Sequence, residues 1–350
     1  MKLFIYADPH WSSYSSIIRS RGQKYSTRLE NLIKTINWVE ESAVMLNCDA
    51  VVCLGDFFDK AELNSEELTA LREILWNDLP HHFIVGNHEM GRHNLQYSSS
   101  HLFELCPNAC VSDVVGVIRD NKGTQICLLP YVLESDRMPL SNYLPPTDGD
   151  RIILSHNDIK GMQMGKFISQ DGFTIEEIKE SCRLFINGHL HNGTELGNII
   201  NLGNITGQNF SEDSSKYRHN ALLLDTENFS VSSLENPYAF NFYKLDFTHY
   251  TKDDVEVIRT VLSKTIGPNA VCSIHVREDT KFIVEDILSI CHNIVECRVI
   301  LDMSSRDNSG ENLADIRAEK LDHLSKFAEY VRTNIAGTEL IEEELMRILV

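Results

Sequence analysis

The sequence predicts a layered α/β core, followed by a small second α/β unit and a helical tail. Three observations carry this reading. Short branched apolar runs alternate with stretches of helical apolar spacing through the first half, each run is closely followed by a polar cluster, and the texture changes after about residue 220. At 350 residues the chain can bury a full core and still carry an appendage. No fixed-period repeat runs through it, which argues against a solenoid.

Taken in order, Leu3-Phe-Ile-Tyr6, Ala50-Val-Val-Cys-Leu54, Phe83-Ile-Val85, Ile152-Ile-Leu154 and Leu184-Phe-Ile186 read as strands buried on both faces. Between them, residues 28–45 and 65–76 carry helical apolar spacing, the second with Ser65 as its cap and Leu68 and Leu71 on one face. Residues 221–225 and 229–234 read as a hairpin around Asp225-Thr-Glu-Asn228 that closes the core. After the turn Glu235-Asn-Pro237, strands are expected at 242–247, 271–276 and 297–301. The helices between them are one capped by Thr251, with Asp254 three residues on, and one over 281–290. Residues 304–310 form a polar linker. Beyond it Leu313, Ile316, Leu321, Leu324, Phe327, Ala328 and Val331 make an amphipathic stripe, which Gly337-Thr338 separates from a last helix over 339–349. The expected boundaries are 1–238 for the core, 239–303 for the small unit and 304–350 for the tail.

Composition limits the function classes. Lys and Arg number 32 against 51 Asp and Glu, a net charge of −19, which argues against gripping nucleic acid with the whole surface. A local contact is still open, because the stretch from Trp11 to Leu29 holds Arg19, Arg21, Lys24 and Arg28 and no acid; a solvated loop is the competing reading. No apolar run reaches the roughly 18 residues of a membrane span. Met1 to Tyr6 gives way at once to Asp8 and His10 without the anatomy of a secretion signal, so a cytoplasmic protein with no membrane partner is expected. The nine cysteines include no Cys-x-x-Cys pair and read as reduced, mostly buried thiols.

The chemistry is in the polar clusters. Asp8-Pro-His10, Gly55-Asp56-Phe-Phe-Asp59, Gly86-Asn87-His88-Glu89, Ser155-His156-Asn157 and Gly188-His189-Leu-His191 each follow an expected strand. Ligands of open α/β sheets gather at the carboxyl ends of strands, so these clusters should converge. The i, i+2 spacing of Asp8 and His10 on an extended chain would point both side chains to one side. Imidazole, carboxylate and amide oxygen suit a pair of borderline divalent cations such as manganese, iron or zinc, with Asp56 as the bridging carboxylate. Such a pair polarises a phosphate ester and activates water for in-line attack. The glycines that open three of the clusters read as turn residues.

Together these motifs resemble the calcineurin-like metallophosphoesterases over roughly residues 1–235, a layered αββα sandwich. The resemblance implies that Asp8, His10, Asp56 and His191 hold one metal and that Asp56, Asn87, His156 and His189 hold the other. His88 is implied to stabilise or protonate the leaving oxygen, and Asp59 to orient His10 or His88. Within the superfamily the chain resembles the nuclease subunits of the SbcD type and their bacteriophage counterparts, on the Asp8-x-His10 gap and on Asn201-Leu-Gly-Asn204 before Phe210-Ser-Glu212. Other members often carry serine at the position of Asn204, and some carry histidine at that of Asp59, which is linked with exonuclease action. The unit at 239–303 would then be a DNA-capping domain, and the tail a docking segment for a coiled-coil, SMC-like ATPase of the SbcC type. The implied activity is a metal-dependent DNA exonuclease and endonuclease in recombination and repair. The implied cofactors are two divalent ions, manganese first and magnesium, iron or zinc as alternatives, and a homodimer is implied as well. Two competing readings are a stand-alone phosphoesterase of a small substrate, since fold does not fix function, and a metal-free scaffold, which the complete ligand set argues against.

Overall fold

The computed structural model describes residues 1–301, apart from 16, 165–166, 213 and 290–293. The expected linker and tail helices at 304–350 lie outside the described residues. Met1–Leu301 forms one compact unit.

In chain order the core runs through β1 (Lys2–Tyr6), α1 (Thr27–Met45), β2 (Ala50–Cys53), α2 (Ser65–Ala70), β3 (His81–Ile84), β4 (Met90–Gly91), β5 (Asn94–Ser98), β6 (Ala109–Ser112), β7 (Gly116–Arg119) and β8 (Gln125–Leu129). It continues with β9 (Arg151–Ser155), β10 (Gln163–Met164), β11 (Phe167–Ile168), α3 (Ile175–Ser181), β12 (Leu184–Asn187), β13 (Thr194–Leu196), β14 (Ile199–Asn201), β15 (Asn220–Asp225) and β16 (Ser230–Glu235). One sheet has the order β16-β15-β1-β2-β3-β6 and the other β13-β14-β12-β9-β8-β7. The central strands β1, β2 and β3 are parallel, as are β8, β9 and β12.

Alternation along the strands builds the layers. Leu3, Ile5, Val52 and Leu54 face Ile126, Leu128, Ile152, Leu154 and Ile186 in an apolar layer between the sheets. Phe4 and Tyr6 point the other way and pack under Leu29, Leu32, Ile36 and Val39 of α1. On the far side Cys127, Ile153 and Phe185 pack against Ile178 of α3 and Phe173. The result is a sandwich of two sheets flanked by helices, the expected αββα order. It explains why the central strands read as continuous apolar runs, since both of their faces are covered.

Helix α1 starts where Ser26 accepts from the Leu29 amide. It stops where Asn47, at φ 52°, turns left-handed, while the Asn47 and Cys48 amides bond back to Val44 and Ala43. The helix expected over 65–76 is shorter. It ends at Ala70 and runs into a 3₁₀ turn at Leu71–Glu73, and its cap is Asn64, not Ser65. Asn64 and Glu67 form a reciprocal capping box, and Glu67 is drawn inward by the Ser13 amide and hydroxyl. That turns the Glu67 face inward and leaves Leu68 exposed, contrary to its expected role on the packing face.

After the sandwich in chain order, β17 (Asn241–Asp246), α4 (Val255–Thr265), β18 (Ala270–Val276), α5 (Lys281–Ser289) and β19 (Ile294–Leu301) build a parallel three-stranded sheet with its own apolar cluster around Tyr243, Ile258, Leu262 and Ile274. Thr251 and Asp254 form the expected capping box, on a 3₁₀ turn that leads into α4. The sheet joins the core through Phe240, Phe242 and Val271, packed on Ile17 and Ile18.

Leu32→Ala removes a wholly buried side chain between α1 and the first sheet. Chemical denaturation of the full chain should read a loss of about 2–5 kcal/mol.

Candidate metal centre

The clusters converge because parallel neighbours end side by side. Asp8 follows β1, Asp56 follows β2 and Asn87 follows β3, while His156 follows β9 and His189 follows β12. Hydrogen bonds then stitch the loops together. The Asp8 and His10 amides donate to the Gly55 and Asp56 carbonyls at 3.2 and 3.0 Å. The His88 amide donates to Asp56 Oδ1 at 2.9 Å, and the His189 amide reaches both oxygens of Asp8 at 3.1 and 3.0 Å.

The chain at Asp8 and His10 is not extended, which corrects the i, i+2 expectation. Asp8 (φ 53°), His10 (φ 49°), Asp56 (φ 47°) and His189 (φ 69°) are all left-handed. Residues held there against their preference cost on the order of 1–3 kcal/mol each and cluster at functional sites. Asp8 and His10 meet because both backbones turn back at the strand end.

The donor atoms form two overlapping groups. His10 Nε2 lies 3.1 Å from His191 Nε2 and 3.9 Å from both Asp8 Oδ1 and Asp56 Oδ2. His156 Nε2 lies 3.1 Å from the same Asp56 Oδ2 and 3.2 Å from Asn87 Oδ1. Asp8, His10 and His191 can share a cation, as can Asp56, His156 and His189, and Asp56 touches both sets. A third grouping joins His88 to His10 and Asp56.

The imidazoles are held from behind. His10 Nδ1 lies 3.1 Å from Asp59 Oδ1, His191 Nδ1 2.8 Å from Glu212 Oε1, His156 Nδ1 2.7 Å from the Leu54 carbonyl, and His189 Nε2 3.3 Å from Asp158 Oδ1. With those outer nitrogens protonated, the other ring nitrogens keep lone pairs, and those of His10, His191 and His156 turn into the cluster. Imidazole nitrogens converging on buried carboxylates, each ring backed by an acceptor, fit divalent cations of the manganese, iron or zinc kind.

The three glycines are more than turn residues. A Cβ on Gly55 would collide with the His156 ring, one on Gly86 with Asp56 Oδ1, and one on Gly188 would come within 3.0 Å of Asp8 Oδ2. Only Gly55, at φ 106°, also needs the left-handed region. The glycines form the floor of the cradle.

Electrostatics separate the groups. Burial would raise the Asp56 carboxyl, but His156 and His10 outweigh it and hold it well below the usual range. Burial would lower His156, yet Asp56 lifts it to about 10 before any metal binds. His10 is lowered, chiefly by burial. His88, 42% exposed at its side chain, is raised to about 9, chiefly by its bond to Asp59. Asp59 reaches both rings, with His88 Nδ1 at 3.4 Å, and His10 and His88 stand edge to face with centroids 4.5 Å apart.

Sequence reasoning named Asp59 as a partner of His10 or His88 but missed those behind His191 and His189. Glu212 lies 21 residues from His191 and had no spacing to betray it. Asp158, two residues after His156, was the easier one to see. Glu89, in the Gly-Asn-His-Glu cluster, is buried and accepts from the Gly86 amide; burial raises its carboxyl to about 8.

The basic stretch needs correction as a DNA contact. Arg28 is buried, with its guanidinium bonded to Ser12, to Gln208 and to the Pro9 and His10 carbonyls, so it has no surface to offer. Arg21 and Lys24 are exposed but paired with Glu66 and Glu73, acids that folding brings from α2 and the turn after it. Arg19 is exposed.

The family profile of the calcineurin-like phosphoesterases matches residues 1–225. The chain belongs to that family. The calcineurin-like phosphoesterases are metal-dependent hydrolases of phosphoesters, and the donor set described above is this member's candidate centre. Among solved structures, the chain is similar to TT1561 of Thermus thermophilus, at 9% identity and a TM-score of 0.39 over 67% of this chain and 98% of that one. It is likewise similar to a dimetal phosphatase from Danio rerio, at 12% identity and a TM-score of 0.39 over 67% and 99%. No curated protein matches it.

Gly86→Ala should weaken Mn²⁺ binding about tenfold or more by displacing Asp56. Calorimetric titration reads this, with an unchanged far-ultraviolet dichroism spectrum as the fold control. His88→Ala should cut hydrolysis by about 10²–10⁴-fold while metal content by elemental analysis stays near that of the wild type. Loss of metal instead would make His88 a ligand.

Proposed function

We propose that the chain is a two-metal DNA nuclease, acting as exonuclease and endonuclease within an SbcCD-like recombination and repair complex in the cytoplasm. Asp8, His10, Asp56 and His191 would hold one divalent ion, and Asp56, Asn87, His156 and His189 the other, with manganese first among the candidates. Once bound, the ions supply Lewis acidity toward the phosphodiester and activate water near neutral pH. His88 is raised to about 9, chiefly by its bond to Asp59, and because Asp59 occupies its Nδ1, Nε2–H would be the donor to a leaving oxygen. Asp59 also holds His10, so a single carboxylate orients a ligand and the proton donor.

The observation that carries the choice of a polymeric substrate is the open ground beside His88. His88 and Asp59 are partly exposed, and the residues that follow them in the chain line a depression of about 630 Å³, Lys60, Glu62, Met90, Arg92 and Tyr97 among them. Lys60 follows Asp59 directly, and Met90, Arg92 and Tyr97 belong to the β4–β5 hairpin that follows the Gly86-Asn87-His88-Glu89 loop. Arg92 and the exposed ring of Tyr97 suit a phosphodiester backbone with its bases, while Lys60 is paired with the buried Glu67 at 2.9 Å. The parallel sheet β17-β18-β19 supports the same reading as a capping unit, with residues 239–303 as its span and 304–350 as a segment that docks a coiled-coil ATPase. A homodimer completes the proposed assembly.

With Mn²⁺, the full chain should degrade linear duplex DNA faster than a chromogenic small phosphodiester. Rapid turnover of the small ester alone would overturn the nuclease reading. Arg92→Ala should spare the small ester and lower the salt slope of DNA binding by about 1.

A further inference from the structure

Arg28 stands against local rules. It is the second residue of α1, where free amide groups disfavour a cation, and it is 1% exposed, where a charge is costly. Every acceptor it has among the described residues is neutral. Nε donates to Ser12 Oγ at 3.0 Å, and Nη2 donates to the His10 carbonyl at 2.8 Å, to the Pro9 carbonyl at 3.5 Å and to Gln208 Oε1. Nη1 has no partner among the described residues. A buried cation kept on such terms points to a task beyond packing.

The bonds continue past it. Gln208 Nε2 donates to the Pro9 carbonyl at 3.3 Å, and the Gln208 amide donates to Glu212 Oε2 at 2.6 Å. Glu212 Oε1 takes His191 Nδ1 at 2.8 Å. His10 and His191, which face each other across 3.1 Å in the cluster, are therefore also joined behind it through the guanidinium, Gln208 and Glu212. The carboxylates whose fields act on Arg28 are Asp59 and Glu212, the two that hold the Nδ1 atoms of those same histidines.

We infer that Arg28 is a positioning residue of the metal centre: its buried guanidinium clamps the Pro9-His10 segment, held between left-handed Asp8 and His10, to the Gln208–Glu212 strap, so that His10 and His191 present their Nε2 atoms to one shared cation. A lysine cannot reproduce the clamp, because one ammonium does not donate in a planar fork to Ser12, Gln208 and two carbonyls at once. The inference rests on the two-metal centre proposed above and is independent of the substrate.

The test is Mn²⁺ binding by the full chain, by calorimetry and by electron paramagnetic resonance of the coupled ion pair, with thermal unfolding in chelator as the fold control. Arg28→Met should weaken one of two Mn²⁺ sites by about 10- to 100-fold and abolish the coupled signal at stoichiometric metal, with Arg28→Lys recovering part of the affinity. Should Arg28→Met fail to fold, Gln208→Ala takes its place: it removes the guanidinium's amide partner and the second bond to Pro9, and should weaken the same site. Wild-type affinities and coupling in the folded Arg28→Met protein, or in Gln208→Ala where that stands in, overturn the inference. A wild-type chain that takes up no Mn²⁺ overturns the metal centre itself.

Discussion

The centre depends on one buried carboxylate that is reached from both sheets. Asp56 leaves β2 in the first sheet, yet its Oδ2 lies 3.1 Å from a histidine that follows β9 in the second. Asp8 makes the reciprocal link, offering both oxygens to the amide of His189 beyond β12. Neither reach would be possible if the sheets slid against each other. The interdigitated layer of Leu3, Ile5, Val52, Ile126, Leu128 and Ile152 holds them in register, so apolar packing sets the distance over which the polar chemistry operates.

Gathering these groups is expensive. Asp8 and Asp56 are buried carboxyl groups, Asp56 held well below the usual range by His156 and His10, and His10 is pressed toward neutrality by its burial while His156 is pulled toward charge by Asp56. Protons can balance part of the negative charge, but divalent cations match the geometry better because several lone pairs converge. The outer partners are what make that convergence specific. Asp59, Glu212, Asp158 and the Leu54 carbonyl each take the ring nitrogen that faces away, leaving tautomer and ring orientation little freedom.

The sandwich and the convergence of the polar clusters were legible from local patterns: branched apolar runs for strands covered on both faces, and polar clusters where those runs stop. What was illegible depends on distant pairing. Leu68 looked like part of a packing face until Glu67 was drawn inward by Ser13, and nothing near Glu67 in sequence announces that bond. Arg28 looked like a surface cation because it closes an acid-free basic stretch from Trp11 to Leu29, whereas its partners Pro9, Ser12 and Gln208 lie up to 180 residues away. The Asp8-x-His10 pair shows that a correct grouping can follow from a wrong local geometry, since the spacing suggested an extended chain and the backbone turns left-handed.

The left-handed ligands have a thermodynamic corollary. Four side chains of the centre sit on backbone that resists its own conformation, and cations that bind only the folded arrangement offset that resistance by mass action. Divalent metal bound there would act as a ballast for the whole sandwich, felt first by the loops at the strand ends and only then by the apolar layer beneath them.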